Sequence, residues 1–226
     1  MEGLLQYWQP LFLSLKLSLA TTLILLLICI PSAWYLLKLR SSLRKPLETI
    51  IALPIVLPPS VLGFYLLMVL GPQGPIGKIA VSLTGSGLAF SFTGLIIGST
   101  IYSLPFVMQP ILNSFEDVPP SSLQLGASLG AGPLDRFFSI VLPHSRSGIL
   151  KGGILGFAHT LGEFGVVLMI GGNIPGETRV AAIAIYDHVE ALEYAQAHVL
   201  SGILLVLSFS VLLFITFLDR KHRRVL

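Results

Sequence analysis

The segment LQLGASLGAGPLDRFFSIVLP, residues Leu123–Pro143, interrupts a mostly apolar chain with two short, half-polar stretches. Gly130-Ala131-Gly132 separates the stretches, and because glycine reaches left-handed backbone angles without a steric cost, we expect a helix stop and a tight turn there. Before this turn, Ser121 or Ser122 is predicted to cap a first short helix. After it, Pro133 suits the first position of a second helix.

The second of these helices has a regular apolar pattern. Its apolar residues recur at the spacing of one helical face, which is predicted to be apolar throughout; they are Leu134, Phe137, Phe138, Val141 and Leu142. Helices this short rarely persist alone in water, so both must dock on a larger surface. Two surfaces are open to them: the ends of the chain's own apolar helices, or a groove on a separate soluble subunit.

The composition of the chain is that of a membrane protein. Of its 226 residues, 54% are hydrophobic and only 11% are charged, whereas about 25% of the residues in an ordinary soluble domain are charged. The net charge of +3 comes from basic residues in short loops, which indicates membrane topology and not nucleic-acid binding. The single cysteine, Cys29, excludes an internal disulfide, and no spaced His/Cys cluster offers a metal site. We therefore predict an all-α integral membrane protein embedded in the lipid bilayer.

A membrane-spanning helix needs about 20 largely apolar residues. Five stretches meet this requirement, at about residues 10–37, 49–71, 87–115, 152–172 and 199–218. A sixth span would require the first or the third stretch to be split, and the uncharged run at 79–115 is long enough to hold a loop or partial helix before its span. We expect these spans to form a single transmembrane domain over residues 1–226.

The distribution of Lys and Arg predicts which side each loop faces, because basic residues resist translocation. Apart from Lys16, two basic residues, Lys78 and Arg179, fall on one side. The other side holds eleven, which are Lys38, Arg40, Arg44, Lys45, Arg136, Arg146, Lys151, Arg220, Lys221, Arg223 and Arg224. The amino terminus is therefore predicted outside and the carboxyl terminus inside the cell membrane. This orientation places a cytoplasmic loop at about 119–147 and an outer loop at about 172–198.

The loop at 119–147 resembles the signature loop of the permease subunits of bacterial ABC importers. That motif is Glu-Ala-Ala, three residues, Gly, nine residues and Ile-x-Leu-Pro; here nine residues separate Gly130 from Ile140, and Leu142-Pro143 closes the pattern. Gln124-Leu125-Gly126 stands in place of Glu-Ala-Ala, so hydrogen bonding is kept but the charge for a salt bridge is lost. The resemblance implies a coupling-helix loop that docks on cytoplasmic ATP-binding ABC subunits. The coupling residues that it implies are Gln124, Leu125, Gly126, Gly130, Leu134, Phe137, Ile140, Leu142 and Pro143.

ATP is expected on the partner subunit, and no cofactor on this chain. The stretch GPQGPIGKI, Gly71–Ile79, lacks the spacing and the hydroxyl residue of a phosphate-binding loop. No nucleophile and base stand at a known catalytic spacing, which disfavours an intramembrane enzyme, and we predict no catalytic and no metal-binding residues. A stand-alone secondary transporter is disfavoured by the coupling-loop spacing and by the lack of a duplicated half.

Four further stretches resemble the molybdate permeases within this family: LPIVLPPSVLGFYLL at 53–67, GPQGPIG at 71–77, LGEFGVV at 161–167 and NIPGETR at 173–179. The resemblance implies import of molybdate across the cytoplasmic membrane by alternating access. It further implies a homodimer around one path and delivery by an extracytoplasmic molybdate-binding protein. Sulfate and tungstate, oxyanions of similar shape and charge, remain alternative substrates.

Candidate pathway or gate residues lie in the second and fourth spans. Pro54, Pro58 and Pro59 each remove a backbone hydrogen bond, so the second span must bend or break, either as a gate wall or as a static kink. Glu163 is the one acid inside a span and must face the helix bundle or the path. Because an ionised Glu163 would repel an anion, we expect its side chain to make a structural bond to Thr160, to His159 or to a backbone amide.

Overall fold

The computed structural model describes the backbone of residues 2–223 and the side chains of residues 7–214. This part of the chain is helical and contains no strand, which confirms the predicted all-α class. The helices are α1 (Glu2–Leu36), α2 (Ser41–Val56), α3 (Pro59–Leu70), α4 (Pro75–Thr84), α5 (Phe92–Glu116), α6 (Pro120–Ser128), α7 (Pro133–Arg136), α8 (Leu142–His144), α9 (Arg146–Leu161), α10 (Gly165–Gly171), α11 (Ala181–Glu190) and α12 (Tyr194–Arg223), with a π-helical turn (Phe137–Val141) between α7 and α8.

The described residues contain three helices that are long and apolar enough to cross a membrane alone, namely α1, α5 and α12. Two further spans are broken: α2 and α3 meet at 109°, and α9 and α10 meet at 60°. Counting each bent pair as one span gives five, as predicted. The short helix α4 precedes α5, as expected for the long uncharged run. Of the basic residues used to predict orientation, those from Arg220 onward have side chains outside the described residues.

Helices α1, α5 and α9 form the centre of the bundle, and glycines bring α9 close to α5. Gly148, Gly152 and Gly156 recur every four residues and so lie on one face of α9. A Cβ atom at Gly148 would lie 2.2 Å from the Cβ atom of Ser114, and one at Gly156 would lie 2.3 Å from Cγ2 of Val107. Small residues at this face therefore let the two helices pack nearly backbone to backbone, as they do in membrane bundles.

Two apolar clusters lie toward opposite ends of α1. One joins the carboxyl-terminal half of α1, including Leu36, to α5 and to the π-helical turn. The other joins Leu13 and Leu17 of α1 to α5, α10 and α11. Near the second cluster, the Ala181 amide donates a 2.8 Å hydrogen bond to the Ser14 hydroxyl. The loop at 119–147 and the segment leading into α11 are thus separated by the length of the bundle, as the predicted topology requires. Which end faces the cytoplasm stays a prediction.

Candidate coupling surface and translocation cavity

The predicted glycine turn after α6 is present. Gly130 has a φ of +85°, in the left-handed region. Its N–H donates to the Ala127 carbonyl at 3.0 Å, and the Ala131 N–H donates to the Gly126 carbonyl at 2.9 Å. This pair of hydrogen bonds is the Schellman arrangement that satisfies carbonyl groups left over at a helix end. Glycine at position 130 therefore determines where α6 stops and where the chain turns.

The predicted serine cap is wrong. Helix α6 begins at Pro120, so Ser121 and Ser122 lie inside its first turn, and the cap position is Pro119, which makes no side-chain cap hydrogen bond. Proline is well suited to the first helical position because it has no N–H to leave unsatisfied and its φ is already helical. The same reason places Pro133 at the first position of α7, as predicted.

The prediction of one uniform apolar face on the second helix is also wrong. The Leu142 N–H bonds to the Phe137 carbonyl, five residues back, so the chain passes through a π-helical turn. The wider turn changes which side chains share a face. Phe137 and Val141 are buried, at 8% and 0% exposed, whereas Leu134 and Phe138 are 72% and 60% exposed. The pattern therefore divides between an inner and an outer surface.

The inner surface fixes the loop to the membrane helices. The Phe137 ring lies 5.4 Å from the Trp34 ring of α1 and 6.1 Å from the Phe115 ring of α5, measured between centroids. The Ser145 hydroxyl donates a 3.0 Å hydrogen bond to the Ser114 carbonyl at the end of α5. Displacement of the loop is therefore resisted by contacts with two different membrane helices.

The outer surface is an exposed apolar patch, which we call the coupling patch and define by Leu125, Leu129, Leu134 and Phe138. Its side chains are 60–80% exposed. Exposed leucine and phenylalanine side chains grouped on two short helices are typical of a docking site. The loop can therefore use both docking surfaces considered from the sequence: its buried residues pack on the chain's own helices, and its exposed residues are free to contact a separate subunit.

The predicted coupling residues divide in the same way. Gln124, Leu125, Gly130 and Leu134 are exposed, while Gly126 and Phe137 are buried and Ile140, Leu142 and Pro143 are partly buried. At Gly126 an added Cβ would lie 2.9 Å from Cδ1 of Ile140, so this position needs a small residue where α6 crosses the second helical segment. Leu129 and Phe138 were not among the predicted coupling residues. The four-residue spacing of Leu125 and Leu129 is the sequence signal that indicates a shared face for Leu129.

A second candidate site lies where the two broken spans meet. Helix α2 ends at Val56 and α3 begins at Pro59, so the break falls at Leu57 and Pro58. Pro54 is buried within α2 and does not interrupt it, which corrects the expectation for this residue. A Cβ at Gly165, the first residue of α10, would lie 2.6 Å from the Cβ of Pro59. The break in the second span therefore packs against the break in the fourth.

A cavity of about 490 Å³ lies at this meeting point. It is lined by Pro59, Ser60, Tyr102, His159, Gly162, Glu163, Phe164 and Gly165. Its polar groups are hydroxyls, an imidazole and a carboxyl group, and no Lys or Arg is among its lining residues. A cavity with few polar groups at discontinuous helices has the general features of a substrate path in a transporter.

Glu163 is the deeply buried acid of this cavity, at 5% exposed. Neither of its carboxyl oxygens has a hydrogen-bond partner among the described residues, although Ser99 lies close by. The predicted bond to Thr160, to His159 or to a backbone amide is therefore wrong. Both of these residues bond instead to the Ser103 hydroxyl, each at 2.9 Å. These two hydrogen bonds join α9 to α5, and Glu163, which lines the cavity, takes part in neither.

The predicted outer loop at 172–198 contains a helix, α11. The turn before it is held by Thr178, whose buried hydroxyl donates to the Gly171 carbonyl at 2.7 Å and accepts from the Ile174 amide at 3.1 Å. Beside it, the Arg179 guanidinium lies 3.3 Å from the Asp187 carboxylate. The turn before α11 is therefore ordered by its own polar contacts.

Comparison with known proteins agrees with this architecture. Residues 18–224 match the family model described as binding-protein-dependent transport system inner membrane component. The molybdenum transport system permease protein ModB of Azotobacter vinelandii is 53% identical over 200 residues, 88% of this chain and 88% of that protein. ModB of Escherichia coli K12 is 37% identical over 183 residues, 81% of this chain and 80% of that protein. The probable sulfate transport system permease protein cysT of Zygnema circumcarinatum is 32% identical over 194 residues, 84% of this chain and 66% of that protein.

A solved structure has the same fold. It is a chain of the bacterial alginate ABC transporter in complex with an alginate pentasaccharide-bound periplasmic protein, with a TM-score of 0.76 and 19% identity over 96% of this chain and 79% of that chain. The bundle with broken spans and a helical loop is therefore the fold of an ABC importer permease. Because the family model matches residues 18–224 and the fold agrees, this chain belongs to the family of binding-protein-dependent transport system inner membrane components.

Proposed function

We propose that this chain is the membrane permease subunit of an ATP-driven importer of molybdate. The observation that carries the proposal is the 53% identity to a molybdenum transport permease over 88% of both chains, compared with 32% for the sulfate relative. As a transport-system membrane component the chain is a translocation subunit and not an enzyme, and ATP is hydrolysed on a separate subunit.

The coupling patch is the proposed docking surface for that ATP-binding subunit. Its four exposed apolar side chains project from α6 and the residue that follows it, from α7 and from the π-helical turn, while Phe137 holds the same loop between Trp34 and Phe115. An ATPase that binds the patch would therefore move α1 and α5 together with the loop. Gln124 is exposed beside the patch and offers hydrogen bonds where the family motif offers a charge.

The working unit is proposed to be a homodimer around one path, with the amino terminus outside and the carboxyl terminus inside. ATP binding would draw the two coupling loops together and open the path outward, and hydrolysis would reverse the change. A binding protein would deliver the anion to the outer segment at 172–198. The outer segment carries four acids, which repel a free dianion and so favour delivery over direct capture; they are Glu177, Asp187, Glu190 and Glu193.

The decisive experiment is the cellular molybdenum content, measured by mass spectrometry, of a strain that lacks this gene and grows at limiting molybdate. Loss of molybdenum with normal sulfate uptake, restored by the wild-type gene, is expected. Steady molybdenum with a loss of sulfate or tungstate uptake would leave the permease class intact and would refute molybdate as the substrate. Docking is tested separately by co-purification of the chain with its ATP-binding subunit, which Gly130→Trp is expected to abolish.

A further inference from the structure

Glu163 brings a carboxyl group into the buried part of the bundle. It is 5% exposed, lies in the break between α9 and α10 and lines the cavity; neither of its oxygens has a hydrogen bond of good geometry to a described residue, and the Ser99 hydroxyl is the side-chain group that lies close to it. Of the other buried polar side chains nearby, Ser103 and Thr160 are hydrogen-bonded to each other, whereas the Ser99 hydroxyl has no hydrogen bond of good geometry within the described part of the chain. Buried polar groups without a partner are rare in native structures, and each one suggests a ligand or a function.

The surroundings of Glu163 do not favour an ionised carboxylate. No Lys or Arg lines the cavity, and the titratable side chains that face it there are Tyr102 from α5 and His159 from α9. His159 is already engaged through Nδ1 with Ser103 and stacks on Phe106 at 3.8 Å between ring centroids. A charge that is buried in a membrane protein without a counter-ion or hydrogen bonds is strongly unfavourable. A neutral carboxylic acid avoids this cost and has one O–H group to donate.

The same cavity has a feature that favours an anion. Pro59 and Ser60, the first two residues of the 12-residue helix α3, both line it. Pro59 has no N–H group, and the Val61 and Leu62 amides donate to the Pro58 carbonyl. The first turn of α3 therefore offers the Ser60 N–H group together with the positive end of the helix dipole. Discontinuous membrane helices of transporters present such ends to anionic groups of their substrates. The Ser60 and Tyr102 hydroxyls add two further donors at the cavity wall.

We propose that this cavity is a transit site for a tetrahedral oxyanion, in which Glu163 is protonated and donates a hydrogen bond to the anion. The inference rests on the proposed function for the class of substrate, and it adds a site and a chemical role within the path. The amino-terminal end of α3 supplies the electropositive side of this site, and Ser60 and Tyr102 complete its donors. A protonated acid donates to an oxyanion without adding a negative charge that would repel it.

The transport test uses the complete importer, with ATPase and binding protein, reconstituted in liposomes and assayed with molybdate, tungstate and sulfate. Glu163→Gln retains a neutral donor of the same shape and is expected to transport nearly as fast as wild type. Glu163→Leu has no donor and is expected to lose roughly tenfold or more of the transport rate, and co-purification with the ATPase shows whether each variant assembles. Glu48→Gln, which removes a partly exposed acid from α2, is the matched control and is expected to behave as wild type. Equal loss in Glu163→Gln and Glu163→Leu would show that the charge is needed and would overturn the proposal.

A second measurement does not depend on transport. Infrared spectroscopy of the purified protein at neutral pH should show the carbonyl stretch of a protonated carboxylic acid, absent in Glu163→Gln and retained in Glu48→Gln. Absence of this band in wild type would overturn the proposal whichever anion is carried. If sulfate alone were transported, molybdate would be refuted as the substrate. The ratio of the sulfate transport rates of Glu163→Gln and Glu163→Leu would still decide the role of Glu163.

Discussion

Gly130→Ala should weaken docking of the ATP-binding subunit by straining one turn. Gly130 is exposed and has a φ of +85°, and a Cβ added there meets nothing within 4 Å, so the strain of the substitution comes from the backbone conformation alone. Gly132 also meets nothing within 4 Å, but its φ of −67° and ψ of 169° are angles that alanine adopts freely. The two glycines therefore form a matched pair, two residues apart.

The size of the effect follows from the cost of the left-handed conformation. That cost is about 1–2 kcal/mol for a residue with a Cβ atom. Because Gly130 is exposed at the end of α6, the variant turn can relax into other conformations, and the fraction that keeps the docking shape falls. Since about 1.4 kcal/mol corresponds to tenfold in an equilibrium constant, the apparent affinity should fall by roughly 5- to 30-fold.

The assay is titration of the permease in lipid nanodiscs with its purified ATP-binding subunit, for wild type, Gly130→Ala and Gly132→Ala. Thermal unfolding of each variant shows that the bundle itself is intact. Gly132→Ala should bind as wild type does, since it introduces no strain and slightly restricts the unfolded chain. Equal affinities for the two variants would refute the argument that the left-handed turn positions the coupling patch.

Five further substitutions test the packing described above. Phe137→Ala should destabilise the fold by about 3–5 kcal/mol in thermal unfolding because a buried ring is lost, whereas Phe138→Ser, which loses an exposed ring and its edge contact with Phe137, should lower the unfolding temperature much less and weaken ATPase binding. Gly148→Ala should lower the unfolding temperature, because overpacking typically costs about 1–3 kcal/mol, while Gly202→Ala, with open space around it, should not. Thr178→Val should cost about 1–3 kcal/mol by leaving the Ile174 amide and the buried Gly171 carbonyl without their partner, and faster hydrogen exchange in the turn before α11 is the measurement.

The number of spans could be predicted because apolar length is a property of the sequence alone, but the position of the breaks could be predicted only in part. At Pro58-Pro59 two consecutive residues lack an N–H, and each pushes the residue before it out of the helical region, so the helix ends. A single ring at Pro54 removes one donor, and α2 continues through it. The break after Leu161 contains no proline. Gly165, the first residue of α10, packs there against Pro59, which is distant in the sequence. No local pattern encodes that contact.

The coupling loop and the cavity show the same limit. The turn at Gly130 was predictable because a left-handed angle restricts the choice of residue. The division between Phe137 and Phe138 was not, because the π-helical turn departs from the 3.6-residue period on which the reasoning depended. For Glu163, the sequence indicated that the acid faces inward, but it could not show that Ser103 occupies both of the expected partners. Which groups remain unpaired depends on the packing of α5 against α9.

The placement of the two sites suggests how one affects the other. Helix α9 runs without interruption from Arg146, directly after the coupling loop, to Leu161 at the edge of the Glu163 cavity, about 24 Å at 1.5 Å per residue. Its glycines hold it against α5 with too little space for a Cβ atom, so these two helices should move as one body. The points that can absorb a change of angle are the breaks before Pro59 and after Leu161, where regular helical hydrogen bonding is already interrupted. A displacement of the coupling patch would therefore be transmitted along α9 to the cavity without much reduction in its amplitude. It would change the angle between the two halves of each broken span around Glu163.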